Sequence, residues 1–555
     1  MTENGSKLVF LDIETNTRHD HIWLAVTKVA ETGEIKCHTR VETLLSILQD
    51  RRLKIVAHNG IGFDFPILNR LWTTKIPLSK CVDTLVMSRL MNPNREGGHS
   101  LGAFGERFGF PKGDFTDFDG GLTDEMRDYC IQDVNLLEKV YHSLVQEQKH
   151  LNFSQESVDL EHTVAAIIQQ QVRRGFKLDL PKAMGLLTSL KGRMASIEED
   201  LQSVFRPIIT ERYSEKTGKR LKDNVEVFNP GSRQQIARRL QELGWKPEKF
   251  TEKGQVIVDE TVLEGVNIPE ARLIAEYLLI QKRVAQVESW LESVSEDGRV
   301  HGKVITNGAV TGRMTHQSPN MAQVPSSSSP YGHECRDVWT VQEGYKLVGA
   351  DASGLELRML AHYMRDQDYV REVCEGDIHT KNQKAAGLET RPQAKTFIYA
   401  FLYGAGPAKI GSIVGGGAKE GYRLIQSFLD NTPALKKLRE KVESLAESGK
   451  LPGLDGRQLY IRSAHAALNT LLQGAGAIVM KQALIILHRK ITANKLDAHF
   501  VANVHDEWQI EASEQDADMV AAMGIQSIRQ AGAKFNLRCP LDGEANIGYT
   551  WGDTH

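Results

Sequence analysis

The period of apolar positions changes along the chain, and each change marks an element. Leu8, Val9, Phe10 and Leu11 form an apolar run of strand length, and Asp12 and Glu14 then share one side because strand side chains alternate. A second strand is predicted from Arg52 to Ala57; His58, Asn59 and Gly60 make a turn, and Phe63 and Asp64 open a helix. Thr123 to Val140 has helical spacing and carries Tyr129 and Asp133 four apart, on one face.

The polar stretch QEQKHLNFSQES predicts a connector around residues 146–160, and a helical pattern resumes at Leu160. Asp179 then caps a long amphipathic helix with Pro181 in its first turn and Met184, Leu187, Leu190, Met194, Ile197, Leu201 and Val204 along its apolar stripe. Another helix starts at Ser232, where Ser232 and Gln235 make an S-x-x-Q capping box and Gly244 lies past the end. Between these helices ERYSEKTGKRLKDN is basic and poor in apolar residues, which predicts a solvated loop or, alternatively, a flexible arm that touches phosphates. The segment HGKVITNGAVTGRMTHQSPNMAQVPSSSSPYG, rich in Gly, Pro, Ser and Asn, predicts extended, turn-filled chain holding Arg313.

Two further strand patterns end in acids. Leu347 to Ala350 delivers Asp351 to a strand-to-helix junction, because Leu355, Glu356, Leu357, Arg358 and Leu360 follow with helical spacing. In HFVANVHDEWQIEA, Val501 and Val504 lead into His505, Asp506 and Glu507 before alternation resumes, which predicts a hairpin with acids at its tip. Between them, Pro392 opens a helix on which Arg391, Lys395, Tyr399 and Tyr403 line one face at fourfold spacing, with His379 upstream.

Composition narrows the class without naming a partner. The 555 residues exceed what one core holds and point to roughly three or four domains or subdomains. With 41% hydrophobic and 25% charged residues the chain has the make-up of a soluble globular protein, and a formal charge of -3 neither requires nor excludes nucleic acid. Cysteines 37, 81, 130, 335, 374 and 539 show no ligand-like spacing and are expected to be reduced thiols. The polar MTENGSK passes directly into the first strand, and no apolar run is expected to reach the length of a membrane span, so a cytoplasmic, non-secreted chain with no membrane partner is expected.

The acids suggest the chemistry. Carboxylates crowded on one strand face repel each other unless a cation lies between them, and acceptor-only oxygens are the ligands that hard divalent cations take. Asp351 and Asp506, held on strands from remote parts of the chain, suit a pair of such cations for phosphoryl transfer. The Arg391–Lys395 end of the helix face suits phosphates, and its Tyr399–Tyr403 end suits a nucleoside base.

The set Asp12, Glu14, Asp64, Tyr129 and Asp133 resembles the three exonuclease motifs of the proofreading DnaQ-like fold. DASGLELR, RPQAKTFIYAFLYG and VHDE resemble motifs A, B and C of family A DNA polymerases, and FNPGSRQQIARRLQELGW, TGRMTHQSPNMAQVP and LNTLLQGAGA are similar to the replicative polymerases of T-seven-like podophages. The resemblance covers nearly the whole chain. It implies an α+β and α/β multidomain protein. A ribonuclease H-like 3′-5′ exonuclease domain at 1–145 would precede a right-hand polymerase domain at 146–555, with thumb 180–290, palm 300–375 and 495–555, and fingers 376–490.

The same resemblance implies roles. Asp351 and Asp506, with the Ala352 carbonyl, would hold two Mg2+ ions, Mn2+ being an alternative, and Glu507 would support them. Asp12, Glu14, Asp64 and Asp133 would hold two ions in the nuclease site, where Tyr129 would orient the attacking water. His379, Arg391, Lys395, Tyr399 and Tyr403 would bind the nucleotide, Glu356 would exclude a ribose 2′ hydroxyl, and Arg313, Asn469, Gln473 and His505 would contact the DNA. Primer-template DNA and dNTPs are the implied partners, a replicative helicase-primase is a further candidate, and the setting would be phage replication in the bacterial host's cytoplasm. The thumb insertion to which host thioredoxin binds in the podophage enzymes is short here, from 206 to 228, so a thioredoxin partnership is not expected. Two other readings remain open: a single-subunit RNA polymerase, which Glu356 and a nuclease domain disfavour, and a nonenzymatic DNA-binding protein, which the intact acids disfavour.

Overall fold

The structure is a computed structural model that describes residues 7–48, 50 and 52–555; the polar lead-in at residues 1–6 lies outside the described residues. The first apolar run becomes the central strand Lys7–Thr15 of a five-stranded sheet, antiparallel to Ile22–Val29 and parallel to Leu53–Ala57, with Ile35–His38 and Cys81–Asp83 at the edges. The run is continuous because both faces are covered. Leu8 and Phe10 pack with Met126, Val134 and Leu137 of the helix Asp124–His150, while Val9 and Leu11 pack with Ile55, Phe65 and Leu68. The Asp124–His150 helix runs past the expected end at Val140 and absorbs much of the expected connector, leaving a break of 151–154 before the helix Gln155–Arg174. Its polar tail is made of good helix formers, and buried Tyr141 and Leu144 continue the apolar stripe.

In the middle of the chain, Asp179 accepts from the Lys182 N–H and starts the helix Leu180–Val204, which packs against Pro269–Glu292. At the next helix, Arg233–Glu242, Ser232 accepts from the Gln235 N–H at 3.4 Å. The Gln235 side chain turns upstream to the Asn229 N–H at 2.7 Å, so the reciprocal half of the expected capping box does not form. The basic segment is not a loop. Ile208–Tyr213 and Arg220–Glu226 form an antiparallel hairpin whose turn uses Gly218 at a φ of 65°. Ile209 pairs with Val225 across it, a β-branched match that the charge count of the segment obscures.

Beyond this lies a four-stranded antiparallel sheet in the order Ala498–Val504, Glu507–Ser513, Tyr345–Ala352, Gly543–Gly548. One side is backed by the helix Ala517–Lys534, against which the helix Ala467–Ala493 packs in turn. The second of these corrects an expectation: Ala464–Ala493 is long and apolar enough to cross a membrane, but 83% of its most apolar window is buried inside the protein, where it is a core helix.

Two buried ionic clusters tie the parts together. Glu161 accepts from Arg457 Nη1 and Lys481 Nζ, each at 2.7 Å, and Arg457 also binds Asp455. Glu511, 1% exposed, takes Arg299 Nη2 at 2.9 and 3.0 Å, Arg174 Nε at 2.8 Å and the Gln342 N–H at 3.1 Å. Burial pushes the Glu511 carboxyl up, but the bonds from Arg299, Gln342 and Arg174 outweigh it and hold it below the ordinary 4.5. Such a group contributes stability above its unfolded pKa, and that contribution is lost as pH falls through the folded value. The melting temperature is therefore expected to drop on acidification below pH 4.5. Glu511→Gln should lower stability at neutral pH by about 3–5 kcal/mol, since two arginines lose their charge partner, and should flatten the acid dependence.

Candidate active site

Asp351 sits at the end of the central strand of the second sheet, paired across to Glu507 on one side and Glu544 on the other. The hairpin between Ala498–Val504 and Glu507–Ser513 turns at His505 and Asp506, with His505 at a φ of 55°. The Ala352 N–H donates to the Asp506 carbonyl at 3.1 Å, so one backbone bond clamps the strand end to the hairpin tip. This joins the two segments that carry the aspartates, and Asp506 lines a cleft with Arg313, Met314, His505 and Lys481.

The electrostatics are those of an uncompensated acid site. Burial, then Glu507 and Glu544, push the Asp351 carboxyl up. Asp506 is pushed up to about 7 by burial, then by Glu356 and Asp351, with Arg313 partly relieving it. A divalent cation removes this mutual penalty, and the acceptor-only donor set fits one. Glu507, expected as a supporting acid, pairs across from Asp351, and its carboxylate accepts from Trp551 Nε1 at 2.7 Å and His555 Nε2 at 2.6 Å. It acts as a strut beneath Asp351.

The helix after Asp351, Leu355–Met364, presents Glu356 to the cleft. One Glu356 oxygen, Oε1, accepts from the Tyr403 hydroxyl at 3.1 Å and from Arg313 Nη2 at 3.3 Å. The helix Arg391–Leu402 is held at its start by a complete capping box between Thr390 and Gln393. It buries Ala394, Phe397, Ile398 and Phe401, which turns Arg391, Lys395 and Tyr399 outward. The Tyr399 and Tyr403 rings lie 6.4 Å apart at 25°, and the His379 ring lies 6.3 Å from Tyr399. Arg391 Nε bonds Asp377 at 2.7 Å, leaving the other guanidinium nitrogens outward. His379 keeps a buried Nδ1 with no partner. Asn469 and Gln473 are half-buried on the helix that also lines the cleft with Ala477 and Lys481, on one fourfold stripe.

The first sheet carries the second acid group. Asp12 and Glu14 come from Lys7–Thr15, Asp64 opens the helix Asp64–Leu71, and Tyr129 and Asp133 come from Asp124–His150. Ligand atoms of Asp12, Glu14 and Cys130 lie within 4.8 Å of one another. Burial and then Asp133 push Asp12 up to about 7; burial, Asp12 and Asp133 push Glu14 up to about 9. Burial and Asp12 likewise raise Asp64. Asp133 Oδ1 is buried without a partner, while Oδ2 accepts from Lys112 Nζ at 2.8 Å. Crowded acids with a free buried oxygen fit divalent cations here as well. Burial and the neighbouring acids push the Cys130 thiol up, and it donates to Asp12 Oδ2 at 3.5 Å.

Of the residues expected at these sites, Arg313, His505 and Asp506 line one cleft, and Asp12, Glu14, Asp64 and Asp133 act on one another in a second group. What the sequence did not reveal is the support. Lys112 sits in irregular chain, and Trp551 and His555 are distant in sequence from Glu507, so spacing gave no signal for any of them. Asp377 had one: it caps the helix Ile378–Ala386, accepting from the His379 and Thr380 N–H groups, in a D-x-x-T pattern.

The chain matches the family model "DNA polymerase family A" over residues 205–553. It is 36% identical to the DNA-directed DNA polymerases of Enterobacteria phage T3 and of Escherichia phage T7, in each case over 90% of this chain and 92% of the relative. It is 27% identical to the thermostable DNA polymerase I of Thermus aquaticus, over 80% of this chain and 53% of that one. Among solved structures, the POL domain of Pol1 from M. smegmatis, in complex with DNA primer-template and dNTP, aligns with a TM-score of 0.81 at 20% identity, over 99% of this chain and 96% of that one. The fold is shared, and with it the matched sequence: the chain belongs to DNA polymerase family A and is a DNA-directed DNA polymerase.

Proposed function

We propose that this DNA polymerase extends a primer at the Asp351–Asp506 cleft, using magnesium, and removes 3′-terminal nucleotides at the Asp12–Asp133 cluster. The observation that supports the first half is the backbone bond between the Ala352 N–H and the Asp506 carbonyl, which joins the two distant segments that carry these acids. Residues 1–145 would be the nuclease domain and 146–555 the polymerase domain, with thumb 180–290, palm 300–375 and 495–555, and fingers 376–490. Primer-template DNA and dNTPs would occupy the cleft, these being the ligands with which the M. smegmatis domain is in complex. A replicative helicase-primase and a phage setting are consistent with the phage relatives.

Asp351, Asp506 and the Ala352 carbonyl would hold Mg2+ in the polymerase site, and Asp12, Glu14, Asp64 and Asp133 would hold it in the nuclease site. When bound, the ions acidify the attacking oxygen and neutralise charge on the leaving group. The chain's own residues do the rest. Arg391, Lys395 and His379 bind the triphosphate, Tyr399 and Tyr403 form the wall for the base, and Glu356, pinned by Tyr403 and Arg313, fills the volume of a ribose 2′ hydroxyl. Arg313, His505, Asn469 and Gln473 read the minor-groove edge of the newest pair, where acceptors common to all pairs report shape. In the nuclease site Tyr129 orients the water, and Lys112 anchors Asp133 from a position 4.9 Å above the Tyr129 ring.

The test is extension of a labelled primer-template with deoxy-, ribo- and dideoxynucleotides in turn. Deoxynucleotides should be strongly preferred to ribonucleotides; equal use of both would point to an RNA polymerase. Dideoxy terminators should be accepted well, because the Tyr399 phenol supplies the hydrogen bond that the missing 3′ hydroxyl would have made. Tyr399→Phe is expected to raise discrimination against terminators by about 10²-fold or more, consistent with loss of a buried hydrogen-bonding group, and an unchanged ratio would refute this role.

A further inference from the structure

Six cysteines are spread along the sequence, all as free thiols, yet two of them meet. Cys374 and Cys539, separated by 165 positions, place their Sγ atoms 3.6 Å apart. Cys374 lies in the last turn of the helix Gln367–Glu375 and is half-buried; Cys539 is fully buried in the segment that leads into the edge strand Gly543–Gly548. A disulfide needs a separation of about 2.05 Å, so the pair must close by only about 1.5 Å.

We propose that Cys374 and Cys539 are a reversible oxidation site, a dithiol that a small disulfide such as glutathione disulfide converts into a covalent staple. The surroundings assign the order of attack. Arg358 Nη1 lies 3.7 Å from the Cys374 sulfur. Cys374 is also the more accessible of the two. Burial, then the bond with Cys374, pushes the Cys539 thiol up to about 12, which makes it the resolving group.

The Cys374 thiolate attacks one sulfur of glutathione disulfide, forming a mixed disulfide and releasing one glutathione thiolate. Cys539 then gives its proton to solvent and attacks the Cys374 sulfur, expelling the second glutathione thiolate. Two protein thiols are oxidised and one glutathione disulfide is reduced to two thiols.

The staple joins parts that bear on the active site. Arg358 Nε donates to the Ser353 carbonyl at 2.9 Å, and the same guanidinium bonds the Pro540 carbonyl. The Ser353 N–H donates to the Asp542 carbonyl at 3.0 Å, and Gly543 pairs with Ala352. The segment from 539 to 543 therefore flanks the strand end that carries Asp351. Closing so long a loop restricts the unfolded chain more than the folded one.

The experiment uses the full-length Cys37→Ser variant, which removes the one exposed thiol, treated with glutathione disulfide. Mass spectrometry after alkylation should show two fewer free thiols with no retained glutathione, linked as a Cys374–Cys539 peptide. The melting temperature should rise by about 3 °C or more, and dithiothreitol should reverse both changes. Adding Cys374→Ser should abolish both responses while leaving the melting temperature of the reduced protein within about 1 °C, since the exchange of a half-buried thiol for a hydroxyl is small. The proposal is overturned if Cys374 stays reduced under conditions that glutathionylate Cys37 in the unsubstituted chain. It is equally overturned if glutathione remains attached to Cys374, or if the disulfide forms and the melting temperature does not rise.

Discussion

Asp351→Ala is expected to abolish primer extension, with a loss of at least about 10³-fold in single-turnover incorporation, while degradation of single-stranded DNA persists. The strand carrying Asp351 is central in its sheet, hydrogen-bonded on both sides, so removing the carboxylate leaves the backbone in register. What is lost is a negative ligand whose carboxyl burial, Glu507 and Glu544 already push up. Alanine relieves that repulsion, so the variant should fold at least as well as the parent. Undiminished melting temperature together with absent extension separates a chemical role from a structural one. Retained extension in Mg2+ would contradict the assignment.

Asp12→Ala should do the converse. The Asp12–Asp133 cluster shares no strand with Asp351 and Asp506, and Asp12 belongs to a different sheet. Single-strand degradation should fall by at least about 10³-fold while extension proceeds, and a mismatched primer end should persist instead of being trimmed. Digestion of a 5′-labelled single strand reads the first effect, and the fate of a mismatched primer the second. Degradation at the parental rate would show that these acids hold no working site. The raised pKa values of Asp12 and Glu14 belong to crowded buried acids, and alanine at position 12 removes one of the charges that raises Glu14.

The parts of this molecule legible in its sequence are those where local chemistry and tertiary role agree. Asp179 with Pro181 announced a helix start because capping acts within one turn. The acids at Asp12, Asp351 and Asp506 stood out because each follows an apolar run of strand character. Where long-range partners decide, the sequence misled. The segment 211–224 looked like a solvated loop because its Lys and Arg dominate the composition, yet pairing across a turn makes it most of a hairpin. Glu507 was read as a supporting acid, but its bonds to Trp551 and His555, 44 and 48 positions on, left no mark in the spacing. Lys112 was invisible for the same reason, since its meaning comes from Asp133 alone. The apolar helix Ala467–Ala493 is core only because other elements surround it.

The central claim is that Asp351 and Asp506 act as one unit on the incoming nucleotide. It is tested most directly by single-turnover incorporation of one deoxynucleotide, in an Asp12→Ala background that protects the primer, comparing Asp351→Ala, Asp506→Ala and the two combined. Residues that share one task lose nearly everything when either is removed, so each single variant and the combination should fall by a similar factor of at least about 10³. Incorporation within tenfold of the parent for either single variant, or losses that multiply in the combination, would contradict it.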